Sequence, residues 1–453
     1  MKKSVLWSLR LGFSSAQAKS IEASGFTNFL NNSFNVPVDT KLPACLQDVP
    51  KTIKAYRELR KTIKSFSADE KKAYNLRQRQ AAIELQKWWL DKMMHSNYPL
   101  IENMICFWHN HFVSTQQKVK VNYWIYQHHM ILRRYAFGNF KTLTKEIIKS
   151  NAMISYLDNE KNRDNAFNEN LSRELLELFT LGIGNYTEDD IKSGAKALAG
   201  LSHGDESGIY RRFFENNDPI TYLGKTGVFK LDDMIDIIFD QPAIPYLVTK
   251  KLIQWFIEDD PEEEIIKTLG NYFKEVNFEI QPLLVKMFTE TYDHDIEGKK
   301  IKDPLRYILQ LKNELNIAIE KPEHILFFLK QQGMELFNQP NVKGWDGGNS
   351  WLSSQTYLQR NNVADLLCTG KMLRGKKTQS KTRPEINLYT SSMNNKEIIK
   401  SLTDRLVFQV SNDMQTDMET LLKYDFDASS PNANAAVLRV FNYIVKTPEF
   451  QVI

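Results

Sequence analysis

Helical periodicity runs through most of this sequence and restricts the fold more than any other feature. Residues 68–96 are rich in strong helix formers, and their bulky apolar side chains fall on one stripe: Leu85, Trp88, Trp89 and Met93. The same spacing predicts further helices over 122–136, 141–149, 231–240, 242–258, 262–275, 279–291 and 303–316. Residues 209–229 break the pattern with alternating polarity, Asn-Asp-Pro and two glycines, which predicts a short β-hairpin. The sequence therefore predicts a mainly α protein, a multi-helix globular body with a small β-hairpin insertion near 209–229.

The length of the chain leaves its domain organisation open. With 453 residues, of which 42% are hydrophobic and 25% charged, the composition is that of a globular protein with a substantial core. A single domain over 1–453 is one interpretation. The other is a pair of intimate helical subdomains, about 1–205 and 230–453, joined by the β-hairpin segment.

Charge and cysteine content exclude several classes of protein. The net charge is +4 with acidic and basic residues interspersed, so no nucleic-acid partner is expected. A basic run, Lys371 to Lys381, is the exception, and we interpret it as a solvated loop. Cys45, Cys106 and Cys368 are far apart, which argues against a structural zinc site and against a disulfide framework.

The first 18 residues imitate a signal peptide, with two lysines, an apolar patch and an Ala-Gln-Ala sequence. Arg10 interrupts the apolar run after six residues, whereas a secretory core has roughly 7–15. No stretch approaches the roughly 18 uninterrupted apolar residues of a membrane span. The sequence therefore predicts a soluble cytoplasmic protein without a membrane span or a convincing signal peptide.

Two stretches combine the helical pattern with polar groups. FWHNHF (Phe107 to Phe112) follows the helix start at Pro99, and NENLSRELLELFTLGIG covers Asn168 to Gly184. The second is predicted as one helix over 168–183, with an apolar stripe made by Leu171, Leu175, Leu178 and Phe179. Because a buried polar group must be paired or used, these residues form either a structural hydrogen-bond network or a site.

The two histidines of FWHNHF cannot both bind one metal ion if the segment is helical. Positions two apart on a helix are separated by about 200° around its axis. His111 shares the inward stripe with Phe107 and Trp108. It is either a core histidine with a hydrogen-bonded partner or a residue of a site.

The carboxylates of the second stretch also have two interpretations. Asn170, Glu174 and Glu177 share one face opposite the leucines, and Arg173 can pair with Glu169 and Glu177 at i,i+4 spacing. This face is either a solvated, salt-bridged surface or a carboxylate site. A carboxylate pair at a buried site serves as general acid and base or as hard oxygen ligands for a divalent cation.

The oxygen-rich segment from Asp158 to Asn170 has Arg163 where an EF-hand loop needs its sixth-position glycine, so Asx turns and a helix cap explain most of it. Trp345 and Trp351 in GWDGGNSW either form the floor of a ligand pocket or pack a turn against the body.

Together these segments resemble the DUF1800 family, large bacterial proteins of unknown function. The resemblance rests on ordered motifs along the whole chain: RLGF (10–13), FWHNHF (107–112), LRRYAFGNF (132–140), YLDN (156–159), NENLSRELLELFTLGIGNYTEDDI (168–191), TYLG (221–224), VKGWDGGNSWL (342–352) and TPEFQ (447–451). It implies a shared fold and a shared polar cluster, but no reaction. Members often sit beside a second uncharacterised family that resembles sulfatases and alkaline phosphatases, which implies a protein partner encoded nearby.

The chain departs from the family pattern at three positions. Tyr135, Leu201 and Asn217 stand where the family usually has histidine, the tryptophan of a Thr-Gly-Trp sequence, and histidine. If those residues serve chemistry in relatives, this chain has lost it.

These observations lead to two hypotheses, and whether the protein is an enzyme stays open. In the first, a His/Glu/Arg pocket between the 100–112 and 168–181 helices binds a metal or small ligand and supports hydrolase-like chemistry. Its catalytic residues are His111, Glu169, Arg173 and Glu174, and its ligand-binding residues are Asp158, Asn168, Asn170, Glu177 and Trp345. His111, Glu169 and Glu174 are the candidate ligands of a divalent cation. In the second hypothesis the chain is a degenerate, non-catalytic scaffold or partner-binding protein.

Overall fold

The computed structural model describes residues 1–294, 298–318, 321–370, 384–422 and 426–453. The basic run Lys371 to Lys381, expected to be a solvated loop, lies outside these described residues.

The prediction of a mainly α fold is confirmed, and 22 α-helices lie within the described residues. Those before the strands are α1 Lys3–Leu11, α2 Ala18–Ser24, α3 Phe26–Phe34, α4 Ile53–Ser65, α5 Ala68–His95, α6 Leu100–His111, α7 Gln116–Val119, α8 Asn122–Arg134, α9 Phe140–Ile148, α10 Asn151–Tyr156, α11 Asn170–Glu174 and α12 Glu188–Ala197. Those after the strands are α13 Leu231–Phe239, α14 Ile244–Phe256, α15 Glu263–Glu275, α16 Ile280–Asp293, α17 Pro304–Glu314, α18 Glu323–Gln331, α19 Ser354–Cys368, α20 Asn395–Leu406, α21 Asn412–Leu421 and α22 Ala433–Ile444. Short 3₁₀ turns occur at Ala44–Leu46, Asn159–Lys161, Gly348–Leu352 and Pro448–Gln451.

The small hairpin is also confirmed. Strands β3 (Ile220–Tyr222) and β4 (Lys225–Gly227) pair antiparallel around Leu223 and Gly224, whose φ angles of 45° and 81° fit the tight turn. Strand β2 (Ile209–Tyr210), although inside the predicted insertion, pairs instead with β1 (Leu201–Ser202). The loop between β1 and β2 doubles back closely enough that a Cβ on Gly204 would lie 2.1 Å from the carbonyl oxygen of Ser207.

Helix α1 is held inside the body by residues distant in sequence. The Arg306 side chain donates from Nε to the Leu9 carbonyl at 2.9 Å, and Asn103 Nδ2 donates to the Arg10 carbonyl at 3.0 Å. Buried apolar side chains form one cluster that extends from Val5 to Ile453. How the chain divides into domains or subdomains stays a prediction.

The helix predicted over 168–183 changes its hydrogen bonding midway. Helix α11 passes directly into a π-helical turn, Leu175–Thr180, in which backbone bonds span five residues. At the end of this turn, the Leu181 and Gly182 N–H groups both donate to the Leu176 carbonyl at 3.0 Å. The widened turn buries Leu176, whereas Leu178, predicted on the stripe, is partly exposed.

Within the part of the chain that the structure describes, no helix combines the length and the apolar character needed to cross a membrane.

Candidate functional site

A pocket of about 280 Å³ opens at the C-terminal end of α6, and we call it the α6–α14 pocket. Its walls come from α6, from α14 and from the loop around GWDGG. The lining residues are Phe107, Asn110, His111, Lys251, Gln254, Trp255, Asp259, Lys300, Lys343, Trp345, Asp346, Gly347, Gly348 and Trp351. The volume suits a small ligand.

The GWDGG loop is fixed to α6 by Asn110. The Trp345 backbone N–H donates to Asn110 Oδ1 at 2.6 Å. Gly344 has φ +94°, and a Cβ at this position would lie 2.3 Å from Asn110 Oδ1 and 2.5 Å from the Asn110 carbonyl oxygen. Only glycine lets the two backbones approach so closely.

His111 is a buried, neutral imidazole. Its Nε2 lies 3.0 Å from the Phe179 carbonyl oxygen, which can only accept, so Nε2 carries the proton. Its Nδ1 is then a lone-pair acceptor and lies 3.4 Å from Lys251 Nζ. Burial, followed by the nearby Lys251 charge, holds the pKa of His111 well below its usual range.

Lys251 is a partly buried lysine of α14 in the wall of the pocket. Its ammonium donates to the Leu178 carbonyl at 2.9 Å and faces His111 Nδ1. No carboxylate among the described residues forms an ion pair with it, and burial lowers its pKa from 10.5 to about 8.

The end of the π-helical turn supplies backbone acceptors for both side chains. Leu178 and Phe179 lie near its C-terminal end, where carbonyls have no partner within the helix, and they accept from Lys251 and His111 respectively. π-turns of this kind occur frequently at functional sites. The leucine-rich motif thus contributes to the pocket through its backbone.

Two tryptophans form the apolar side of the pocket. The rings of Trp255 and Trp345 stack with centroids 6.5 Å apart. Trp255 Nε1 donates to Asn103 Oδ1 at 2.9 Å. The Trp345 indole N–H is buried and has no acceptor among the described residues.

The pocket lining contains two further lysines, one paired and buried and one exposed. Lys300 is neutralised by Asp259 at 3.2 Å and also donates to the Gln254 carbonyl at 2.7 Å. Lys343 is exposed. The pKa of Glu174 is raised overall, first by burial and then by the charge of Glu177, and the charge of Lys343 opposes part of that rise. The rim of the pocket therefore carries an exposed cation, Lys343, and an exposed carboxylate, Asp346.

Of the residues predicted from sequence, the structure places His111 and Trp345 in this pocket. Arg173 instead forms a partly exposed ion-pair network, 2.8 Å from Glu188 and 3.1 Å from Glu169. These side chains are 35, 65 and 37% exposed respectively, so the pairing is that of a solvated surface.

The remaining predicted residues make local contacts. Glu177 accepts from the Tyr186 hydroxyl at 3.0 Å and not from Arg173. Asn168 Oδ1 accepts from the exposed Asn170 backbone at 3.0 Å in an Asx turn, and Asp158 pairs with Lys118 at 3.0 Å. Functional roles for Glu169, Arg173, Glu174 and these residues stay predictions.

The two histidines of FWHNHF point into different clusters, as the helical spacing predicts. His109 Nε2 lies 3.2 Å from His129 Nδ1, beside a buried ion pair in which Arg133 contacts Glu102 at 2.6 Å. Within the described ranges, no group of three or more His, Cys, Asp and Glu side chains is arranged to hold a metal ion.

Sequence reasoning missed Lys251 because no motif surrounds it. The available signal was its position on α14, four residues before Trp255 and on the same side of that apolar helix.

Comparison with known proteins gives one result. A family model described as "Protein of unknown function (DUF1800)" matches residues 4–452. No curated protein and no solved structure matches the chain.

Proposed function

The chain belongs to the DUF1800 family of proteins of unknown function, and on that premise we propose that it binds a small carboxylate or phosphate ligand in the α6–α14 pocket. The observation that carries the proposal is Lys251, a largely desolvated cation in the pocket wall without a carboxylate partner among the described residues. An anionic ligand supplies the missing partner, and a charge-assisted hydrogen bond is stronger than a neutral one.

Trp345 adds apolar contact to the same pocket. Its ring belongs to the pocket lining and stacks on the ring of Trp255. A small ligand beside Lys251 would pack against these rings.

The departures from the family pattern do not remove a lining group. Tyr135 caps the end of α8, Leu201 is buried in β1, and Asn217 accepts from Lys230 at 3.1 Å. None of the three belongs to the pocket lining. This favours a working pocket over a degenerate one.

The metal-binding and hydrolase-like versions of the hypothesis have less support. The described residues offer no group of acids, histidines and cysteines for a metal. For hydrolysis, Glu174 is the half-buried motif carboxylate that interacts with Lys343 at the rim. It would act as a general acid, since its raised pKa favours the protonated form.

Thermal melts in the presence of phosphate and a panel of small carboxylates test the binding proposal. We expect at least one anion to raise Tm, Lys251→Met to abolish that rise and Trp345→Ala to reduce it. Lys250→Met is the matched control, because Lys250 is the exposed neighbour of Lys251 on α14. The proposal fails if no anion raises Tm, or if the rise survives in both pocket variants.

A second candidate function is binding of a protein partner, such as the sulfatase-like product expected nearby. It is motivated by Phe213, which is 96% exposed, and by its neighbours Ile209 and Phe214, which are 45 and 38% exposed. Co-purification with that product, lost on Phe213→Ser and retained with Lys251→Met, would support it.

A further inference from the structure

Resting on the proposed ligand pocket, we propose that Lys251 is an amine nucleophile that forms an imine with a small anionic aldehyde or 2-oxo acid. The ligand would then be held by a covalent C=N bond to Lys251. The contacts of Lys251 Nζ and the groups that face the same space support this inference.

The surroundings of Lys251 differ from those of the other buried lysines. Burial also lowers the pKa of Lys300, but Asp259 at 3.2 Å opposes that shift and pairs with its ammonium. Lys302 is fully buried, donates to the Phe450 carbonyl, and is not part of the pocket lining. Lys251 lies in the pocket wall and has no carboxylate partner among the described residues. Its neutral amine is therefore more accessible to a ligand than that of Lys300 or Lys302.

His111 is placed to move the proton that such an amine must lose. Its Nδ1 lone pair lies 3.4 Å from Lys251 Nζ, and its Nε2–H is held by the Phe179 carbonyl. The imidazole therefore faces the amine with an acceptor and cannot rotate without losing that hydrogen bond.

Burial makes the free amine available near neutral pH. It lowers the pKa of Lys251 from 10.5 to about 8. At pH 7 the free-amine fraction is then roughly three hundredfold larger than for a lysine of ordinary pKa.

The step balances without an oxidant or reductant. The Nζ lone pair attacks the carbonyl carbon, the C=O π pair moves to oxygen, and one amine proton passes through His111 Nδ1 to that oxygen. The resulting carbinolamine loses its hydroxyl together with the second Nζ proton as water and leaves a C=N bond to Lys251.

The charges that line the pocket favour an anionic carbonyl compound. The lysines Lys251, Lys300 and Lys343 outnumber the carboxylates Asp259 and Asp346, and Asp259 is paired with Lys300. A pocket of about 280 Å³ accepts a molecule as small as glyoxylate. Glyoxylate is therefore a suitable probe.

The test is reductive trapping on the intact protein. The chain is incubated with glyoxylate and cyanoborohydride at pH 7, and a protease that cleaves after acidic residues releases Lys250 and Lys251 in one peptide. We expect a carboxymethyl group on Lys251 at least about tenfold more often than on the exposed Lys250, because the lowered pKa of Lys251 enlarges its free-amine fraction. Equal modification of the two lysines overturns the proposal.

Acetate and Lys251→Arg separate this inference from the binding proposal. Acetate can bind but cannot form an imine, and arginine keeps the cation but stays protonated. We expect Lys251→Arg to retain the acetate-dependent rise in Tm and to lose the adduct. Acetate binding without selective trapping overturns the imine proposal alone, whereas absence of both acetate binding and trapping overturns both proposals. Trapping in the unmodified chain remains decisive if the arginine variant does not fold.

Discussion

Asn110 Oδ1 accepts a 2.6 Å hydrogen bond from the backbone N–H of Trp345, a residue 235 positions further along the chain. The next residue in α6, His111, donates to the carbonyl of Phe179. The end of α6 therefore joins the FWHNHF segment to the GWDGG loop and to the π-helical turn of the leucine-rich motif. The α6–α14 pocket lies at this junction.

Gly344 should be far less tolerant of alanine than a glycine with a similar backbone and free space. Gly333 has φ +77°, and a Cβ added there would meet nothing within 4 Å, whereas a Cβ on Gly344 meets Asn110 at 2.3 Å. We expect Gly333→Ala to cost about 1 kcal/mol and Gly344→Ala at least about 3 kcal/mol. Urea denaturation measures both, and equal losses would contradict the close packing of the loop on α6.

The buried ion pair between Glu102 and Arg133 should show strong coupling. Both side chains are 4% exposed, and Trp89 Nε1 also donates to Glu102 at 3.2 Å. Because either single change leaves a buried charge unpaired, we expect Glu102→Gln and Arg133→Met each to cost about 3–5 kcal/mol. The double variant should lose less than the two single losses combined, and a double-mutant cycle by chemical denaturation measures the difference. Additive losses would show that the pair is not coupled.

The free energy of unfolding of the unchanged protein should increase, relative to that of Lys251→Met, as the pH rises above 8. Burial lowers the pKa of Lys251 in the folded state to about 8, below the 10.5 of an ordinary lysine. Between these values the unfolded chain binds more protons, so the free energy of unfolding increases with pH, by up to about 3 kcal/mol. Urea unfolding of both proteins at pH 7.5 and 10 isolates this effect, since every other titrating group is common to them. A pH-independent difference would refute the lowered pKa.

His128 should make the protein sensitive to acid. Burial lowers its pKa to about 4, and its ring contacts Ser150 Oγ at 3.2 Å and the Phe112 carbonyl at 3.0 Å. Its folded-state pKa lies below the usual 6.5, so stability is lost as the pH falls from 6.5 to 4. We expect the free energy of unfolding of the unchanged chain to fall by up to about 3 kcal/mol more than that of His128→Gln over this range. Parallel losses in the two proteins would assign the acid sensitivity to other groups.

Arg173 should contribute little to stability or to the α6–α14 pocket. Its partners Glu188 and Glu169 are 65 and 37% exposed, so Arg173→Ala should cost less than about 1 kcal/mol. The anion-dependent rise in Tm should also be unchanged. Loss of that rise in Arg173→Ala, without loss in Lys251→Met, would place the ligand on the motif surface instead.

Local structure could be predicted from the sequence because it depends on neighbouring residues of the same helix or turn. The apolar spacing over residues 68–96 predicted α5, which spans Ala68–His95. The inward position of His111 followed from the same periodicity. The hairpin was predicted from its turn residues, although its strands are shorter than the predicted insertion.

The sequence by itself determined the helical fold and the inward position of His111, because both depend on contacts within a few residues. Only the tertiary structure decided what the polar residues of the motifs meet, and it also buried His109. Lys251 lies 140 positions from His111, and Trp345 lies 235 positions from Asn110. No local pattern encodes such pairings, since they arise from the packing of whole helices and loops. The Leu178 and Phe179 carbonyls of the π-helical turn meet Lys251 and His111 through the same packing.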